Sequence, residues 1–186
     1  MTRLVAFLRA INVGGHTVRM EELRRLFTEL GLREVETFIA SGNLIFSSSA
    51  RAIPALESRI EARLHSALGY EVKTFVRTEA EVATVASYQA FTPSQVRQAG
   101  AQCVGFLAQP LGTAARKSLM ALKTDIDDFH VNGREVYWLC KKRQGESRFS
   151  NVAFEKAVRV RSTFRGVNTI CRLVAKYGFS PSPGAP

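Results

Sequence analysis

The chain has 186 residues, 46% of them hydrophobic, which suits one packed domain or two small ones and excludes a disordered protein. Lys and Arg number 26 against 16 for Asp and Glu, a formal charge of +10 that favours anionic partners such as nucleic acid, nucleotides or an anionic surface. Cys103, Cys140 and Cys171 form no CxxC or His-paired cluster, and the apolar run Leu4 to Leu8 is too short for a signal segment or a membrane span. These features predict a soluble, cytoplasmic protein whose three cysteines are reduced core residues.

In chain order, Leu4 to Leu8 are apolar at every position, which predicts a strand covered on both faces. Gly14 and Gly15 then remove Cβ where the backbone turns, and such a turn can aim several N–H groups at one anion. Met20, Leu23, Leu26, Phe27 and Leu30 repeat at helical spacing up to Gly31. Val35 to Ala40 and Leu44 to Ser47 read as a hairpin around Ser41, Gly42 and Asn43. Ile53, Leu56, Ile60, Leu64 and Leu68 form a second apolar stripe, opened by Pro54 and stopped by Gly69. Val72 to Arg77 returns to strand character, so the order to residue 77 is β-α-β-β-α-β.

Thr78 and Glu81 have capping-box spacing, which predicts a helix from Glu79 that ends before Phe91. Pro93 to Ala101 is polar and carries Gly100, the expected connection between halves. Gln102 to Ala108 then reads as a strand, Thr113 to Lys123 as a helix and Asp125 to Val131 as a strand. Asn132-Gly133 predicts a type I′ hairpin turn into Glu135 to Cys140. Asn151 to Ala157 reads as a helix, Val158 to Thr163 as extended, Asn168 to Lys176 as a last helix, and Ser180 to Pro186 as a disordered tail. The expected class is α+β, with two ferredoxin-like β-α-β-β-α-β halves in tandem. The N-terminal half spans 1–92, the connection 93–101, the C-terminal half 102–179 and the tail 180–186, with no strong letter-for-letter repeat between the halves.

No GxxxxGK[ST], GxGxxG or GxSxG occurs, which removes the ordinary P-loop, dinucleotide and hydrolase-elbow readings. His16, His65 and His130 lack metal-site spacing, so no metal and no cofactor is implied. Asp125, Asp127 and Asp128 alternate with Ile126 and Phe129 and read as the wet side of a strand rather than a cation site. What remains is a polar and basic constellation: Arg9, Asn12, Gly14 and Gly15 after the first strand, Ser41, Gly42 and Asn43 in the first hairpin, and Arg165, Asn168 and Thr169 at the start of the last helix. Asn168 or Thr169 is by type a helix cap; with Arg165 it could also receive phosphate. Lys141, Lys142 and Arg143, after Tyr137-Trp138, read as a solvated loop.

LRAINVGG at Leu8 to Gly15, the helix start Met20-Glu21-Glu22-Leu23 and FIASGNLIF at Phe38 to Phe46 together resemble the bacterial domain of unknown function family 1697. TFRGVNTICRL at Thr163 to Leu173 resembles its Thr-x-Arg-Asn-Trp-Asn-Thr stretch, but Gly166 and Val167 stand where that pattern has Asn and Trp. Ala10 replaces a usual Gly, and Ala40 a usual polar residue. The resemblance implies two ferredoxin-like α+β halves and no established activity.

Three functions fit this reading. The first is a binding module for nucleic acid or a nucleotide or other phosphate-bearing ligand, held in one cleft by Arg9, Asn12, Gly14, Gly15, Ser41, Gly42, Asn43, Arg165, Asn168 and Thr169. The second is an enzyme acting on a phosphorylated small molecule, for which no general base beyond His16 is evident. The third is an interaction module for an acidic protein. No membrane partner is expected, and the sequence carries no signal for oligomeric state.

Overall fold

A computed structural model describes residues 1–12, 15–39 and 42–182. It contains two four-stranded antiparallel sheets in two similar β-α-β-β-α-β halves. Gly14, Ala40 and Ser41, with the end of the tail at 183–186, lie outside the described residues.

The first sheet contains β1 (Thr2–Leu8), β2 (Arg33–Thr37), β3 (Asn43–Ser48) and β4 (Thr74–Thr78) in the order β2-β3-β1-β4. The strand β1 is therefore internal, and Leu4 to Leu8 are each at most 1% exposed. Helices α1 (Met20–Glu29) and α2 (Ile53–Leu68) cover one face, where Leu4, Ala6, Leu8, Leu44 and Phe46 meet Leu26, Phe27, Ile60 and Leu64. Each such large side chain contributes about 1.5–3 kcal/mol through burial. Gly31 and Gly69 adopt φ of +78° and +79° at the helix ends, as their positions in the sequence require.

The second sheet contains β5 (Ala101–Phe106), β6 (Asp127–Asn132), β7 (Glu135–Cys140) and β8 (Thr163–Gly166) in the equivalent order β6-β7-β5-β8. Helices α5 (Thr113–Met120) and α6 (Asn151–Val158) pack on one face through Leu119, Phe154 and Val158 against Cys103, Val136 and Trp138. Helices α3 (Glu79–Ser87) and α4 (Pro93–Gln98) link the halves, and α7 (Val167–Tyr177) follows β8 directly. The chain divides into two compact units, Met1–Thr84 with the chain from Tyr177 onward, and Val85–Lys176. The division thus falls inside α3, ahead of the polar stretch 93–101.

That stretch is not a bare connection. Thr92 accepts the Gln95 N–H at 3.3 Å while the Gln95 side chain accepts the Thr92 N–H at 2.9 Å, a capping box that starts α4 behind Pro93. The last strand is also displaced, from 158–163 to Thr163–Gly166. Val158 closes α6, Arg159 turns left-handed at φ +58°, and the Ser162 N–H donates to Glu155 at 2.9 Å, so 159–162 fold back on α6. The expected type I′ turn at Asn132-Gly133 is shifted by one residue. Asn132 pairs with Glu135, leaving Gly133 and Arg134 in the loop, and Gly133 alone has positive φ, which suits a type II′ turn. Of the three cysteines, Cys103 and Cys140 are buried, whereas Cys171 is exposed, its thiol turned toward the Ala86 carbonyl at 3.9 Å rather than into a core.

Ala10 explains the glycine usual at its place in the resemblance, because its φ is +57°, a conformation that burdens any residue with a Cβ by roughly 1–2 kcal/mol. Ala10→Gly relieves this but loosens the unfolded chain by about 0.4–1 kcal/mol. A net gain of about 0.5 kcal/mol is expected, read as a higher urea midpoint at unchanged slope.

Candidate functional site

The sequence-predicted residues fall in both compact units. In the first unit they gather where β1 ends. The Arg9 N–H donates to the Lys73 carbonyl at 2.8 Å, and the Leu8 N–H to the Gly42 carbonyl at 2.8 Å. Asn12 Oδ1 accepts the Val18 N–H at 2.8 Å, closing the loop on itself. Tyr70 donates to the Ile11 carbonyl at 3.0 Å, and His16 stacks on its ring with centroids 3.9 Å apart. Gly15 is exposed at φ +86° with open space where a Cβ would stand.

Gly42 and Asn43 have structural work in this cluster. A Cβ on Gly42 would lie 2.7 Å from Ile11 Cγ2, and φ is +73°, so only glycine fits. Asn43 is fully buried, and its side-chain amide donates to the Phe38 carbonyl at 2.9 Å, pinning the hairpin. Gly14 and Ser41 lie outside the described residues. The sequence did not flag Tyr70 as the residue on which this loop leans; nothing in its local pattern distinguishes it from any helix-end tyrosine.

In the second unit, Arg165 is not at a helix start. It lies within β8 opposite Val104, 9% exposed, and its Nη1 donates to Thr163 Oγ1 at 2.7 Å and to the Phe164 carbonyl at 2.9 Å. Burial pushes its guanidinium down to about 10. Arg77 occupies the equivalent place in β4, opposite Val5 and fully buried, with its Nη1 donating to the Val76 carbonyl at 3.0 Å. The recurrence of one buried arginine at one register position in both sheets marks Arg165 as part of the architecture. Asn168 and Thr169 do open α7, with Asn168 exposed.

Two cavities of the second unit meet around these residues. One, of about 310 Å³, is walled by Tyr88, Phe91, Tyr137 and Trp138. The other, of about 380 Å³, is bordered by Gly100, Gln144, Gly166 and Asn168. Val96, Gln102, Cys103 and Val167 line both, so the two form one groove. Among the described residues no Asp or Glu lines either part. Tyr88 is held from behind: its hydroxyl meets His130 Nε2 at 2.8 Å, and its ring lies 5.1 Å from that of Tyr137. Burial, then the nearby Glu135 and Tyr88, raise the Tyr137 phenol, so it stays protonated. Burial likewise pushes the Cys103 thiol up to about 11, which leaves it a wall rather than a nucleophile.

The basic run borders the polar half. A Cβ on Gly100 would lie 2.5 Å from the Lys142 carbonyl carbon and 3.0 Å from the Arg143 nitrogen, so the backbone of the run passes directly over Gly100. Lys141, Lys142 and Arg143 are exposed there. Sequence reasoning named Asn168 but read this run as a solvated loop and missed Tyr88, Phe91 and Gln102, because residues from separate elements that share a wall leave no local spacing.

The three aspartates are corrected in part. Asp127 is only 4% exposed and faces inward, accepting from Trp138 Nε1 at 2.9 Å, Ser147 Oγ at 2.8 Å and Thr124 Oγ1 at 2.8 Å. Asp128 pairs with Lys123 at 2.6 Å, and Asp125 is exposed.

A family model described as a protein of unknown function (DUF1697) matches residues 1–137, short of the TFRGVNTICRL stretch. No curated protein matches the chain. Among solved structures, the conserved bacterial protein SP0830 from Streptococcus pneumoniae is similar at a TM-score of 0.71 and 20% identity, over 94% of this chain and 99% of that one. At that identity the likeness establishes the fold.

Proposed function

We propose, for a chain that belongs to the DUF1697 family of proteins of unknown function, that its second unit is a binding module for a phosphate-bearing small ligand. The observation that carries this reading is the polar half of the groove, about 380 Å³ without a lining carboxylate, edged by Gln102, Gln144 and Asn168, with the backbone of the exposed residues Lys142 and Arg143 against its Gly100. Neutral amides and main-chain donors accept an anion without a competing negative charge, and the nearby cations raise its local concentration. The net charge of +10 supports the same class of partner.

The test is calorimetric titration of the full chain with inorganic phosphate and pyrophosphate at two salt concentrations. Saturable binding is expected, weakened roughly tenfold by the pair Lys142→Glu and Arg143→Glu, which corresponds to about 1.4 kcal/mol. Retardation of DNA or RNA in a gel without any response to the small anions would shift the reading to nucleic acid. No response to either would end it. We place the protein in the cytoplasm, a reading supported by three free cysteines. Among the described residues no helix is long and apolar enough to cross a membrane.

A further inference from the structure

We infer that the ligand of this groove is a nucleoside monophosphate, with its base in the aromatic half and its phosphate in the polar half. The inference rests on the anion-binding reading above and adds the organic part of the ligand. Three observations lead to it. The first is adjacency: Val96, Gln102, Cys103 and Val167 belong to both walls, so the two halves lie side by side within the span of one small molecule.

The second is the contrast of chemistry between the halves. Tyr88, Phe91 and Tyr137 offer flat apolar surface in a space of about 310 Å³, within the size range of small-molecule pockets, while the polar half offers amides and glycine backbone. A ligand matching both must join a flat ring to an anionic group through a short polar linker. A base, a sugar and one phosphate have that order. Gln102 lies at the junction of the two halves, where a carboxamide, which both donates and accepts, can meet sugar hydroxyls or the edge of a base.

The third is preorganisation. The Tyr88 ring is fixed by its hydroxyl contact with His130 and by Tyr137 before any ligand arrives, so little side-chain freedom is lost on stacking. Stacking of a base on one aromatic side chain is worth roughly fivefold to over a hundredfold in affinity. A single phosphate also fits better than a chain of them, because the polar half has one cluster of amides and no acidic residue to hold a bridging metal ion.

The experiment uses the full chain, with ligand binding read by calorimetry. Inorganic phosphate, adenosine and the four ribonucleoside 5′-monophosphates are titrated in turn. At least one monophosphate should bind ten or more times tighter than phosphate and tighter than adenosine. Tyr88→Ala should bring that monophosphate down to the affinity of phosphate, and retained phosphate binding shows that the variant is folded. Tyr88→Phe, which keeps the ring, should retain most of the gain. Monophosphates that bind no tighter than phosphate would overturn the inference while leaving the anion reading standing. Binding of adenosine as tight as its monophosphate would overturn it as well, and failure of phosphate and monophosphates alike would remove both.

Discussion

Asp127→Ala should destabilise the protein by about 3 kcal/mol, measured by urea unfolding with Trp138 emission as the probe. The carboxylate is 4% exposed and accepts from three side chains of three different segments: Thr124 before β6, Trp138 in β7 and Ser147 in the turn after it. Truncation leaves the indole N–H without its acceptor in a site where Trp138 itself is 2% exposed. Each buried donor stranded in this way costs about 1–3 kcal/mol, and the two hydroxyls can rotate to other partners where the indole cannot. Asp127→Asn retains one acceptor oxygen and should cost about 1 kcal/mol. A loss below that for Asp127→Ala would mean that the indole has found another acceptor. Because the indole N–H loses its acceptor, Trp138 emission should shift in the folded variant as well.

The elements that could be read from the sequence are those whose signal is local. Five successive apolar residues at Leu4 to Leu8 demanded burial on both faces, and all five are at most 1% exposed. Thr78 and Glu81 form the capping box that their spacing predicted, at 2.8 Å and 3.2 Å. Where reading failed, a longer-range contact overruled a local preference. The β-branched residues near Val158 suggested extension, yet Val158 packs into the core as the last residue of α6 and the strand begins only at Thr163. Asp127 looked solvated because the aspartates alternate with Ile126 and Phe129, but its strand register turns it toward the indole of Trp138. Arg165 looked like an anion receptor because it precedes a helix, and only the pairing with Val104 reveals it as a buried strand residue. The internal repeat was legible in principle. Val5-Ala6-Phe7-Leu8 and Val104-Gly105-Phe106-Leu107 share three letters of four, too few to notice without the matching registers against Arg77 and Arg165.

That repeat also sets the second large effect: Gly105→Ala should cost about 2–3 kcal/mol. A Cβ there would lie 2.6 Å, 2.7 Å and 2.9 Å from three atoms of the Phe164 ring, its cross-strand partner, so the whole ring must move. It has little room, since Phe149 and Phe154 pack edge-on against it with centroids 5.5 Å and 5.4 Å away. Overpacking of this kind typically costs about 1–3 kcal/mol. In the first sheet the same pair of positions holds Ala6 and Val76, a larger residue in the centre and a smaller one at its side. Phe164→Val alone should cost about 3 kcal/mol by opening a void. The double variant, which installs the first sheet's pair in the second, should be more stable than the sum of the two losses by about 1–2 kcal/mol, because the new Cβ then occupies space the ring has left. Additive losses in the double-mutant cycle would show that Gly105 is required by its backbone and not by the ring above it.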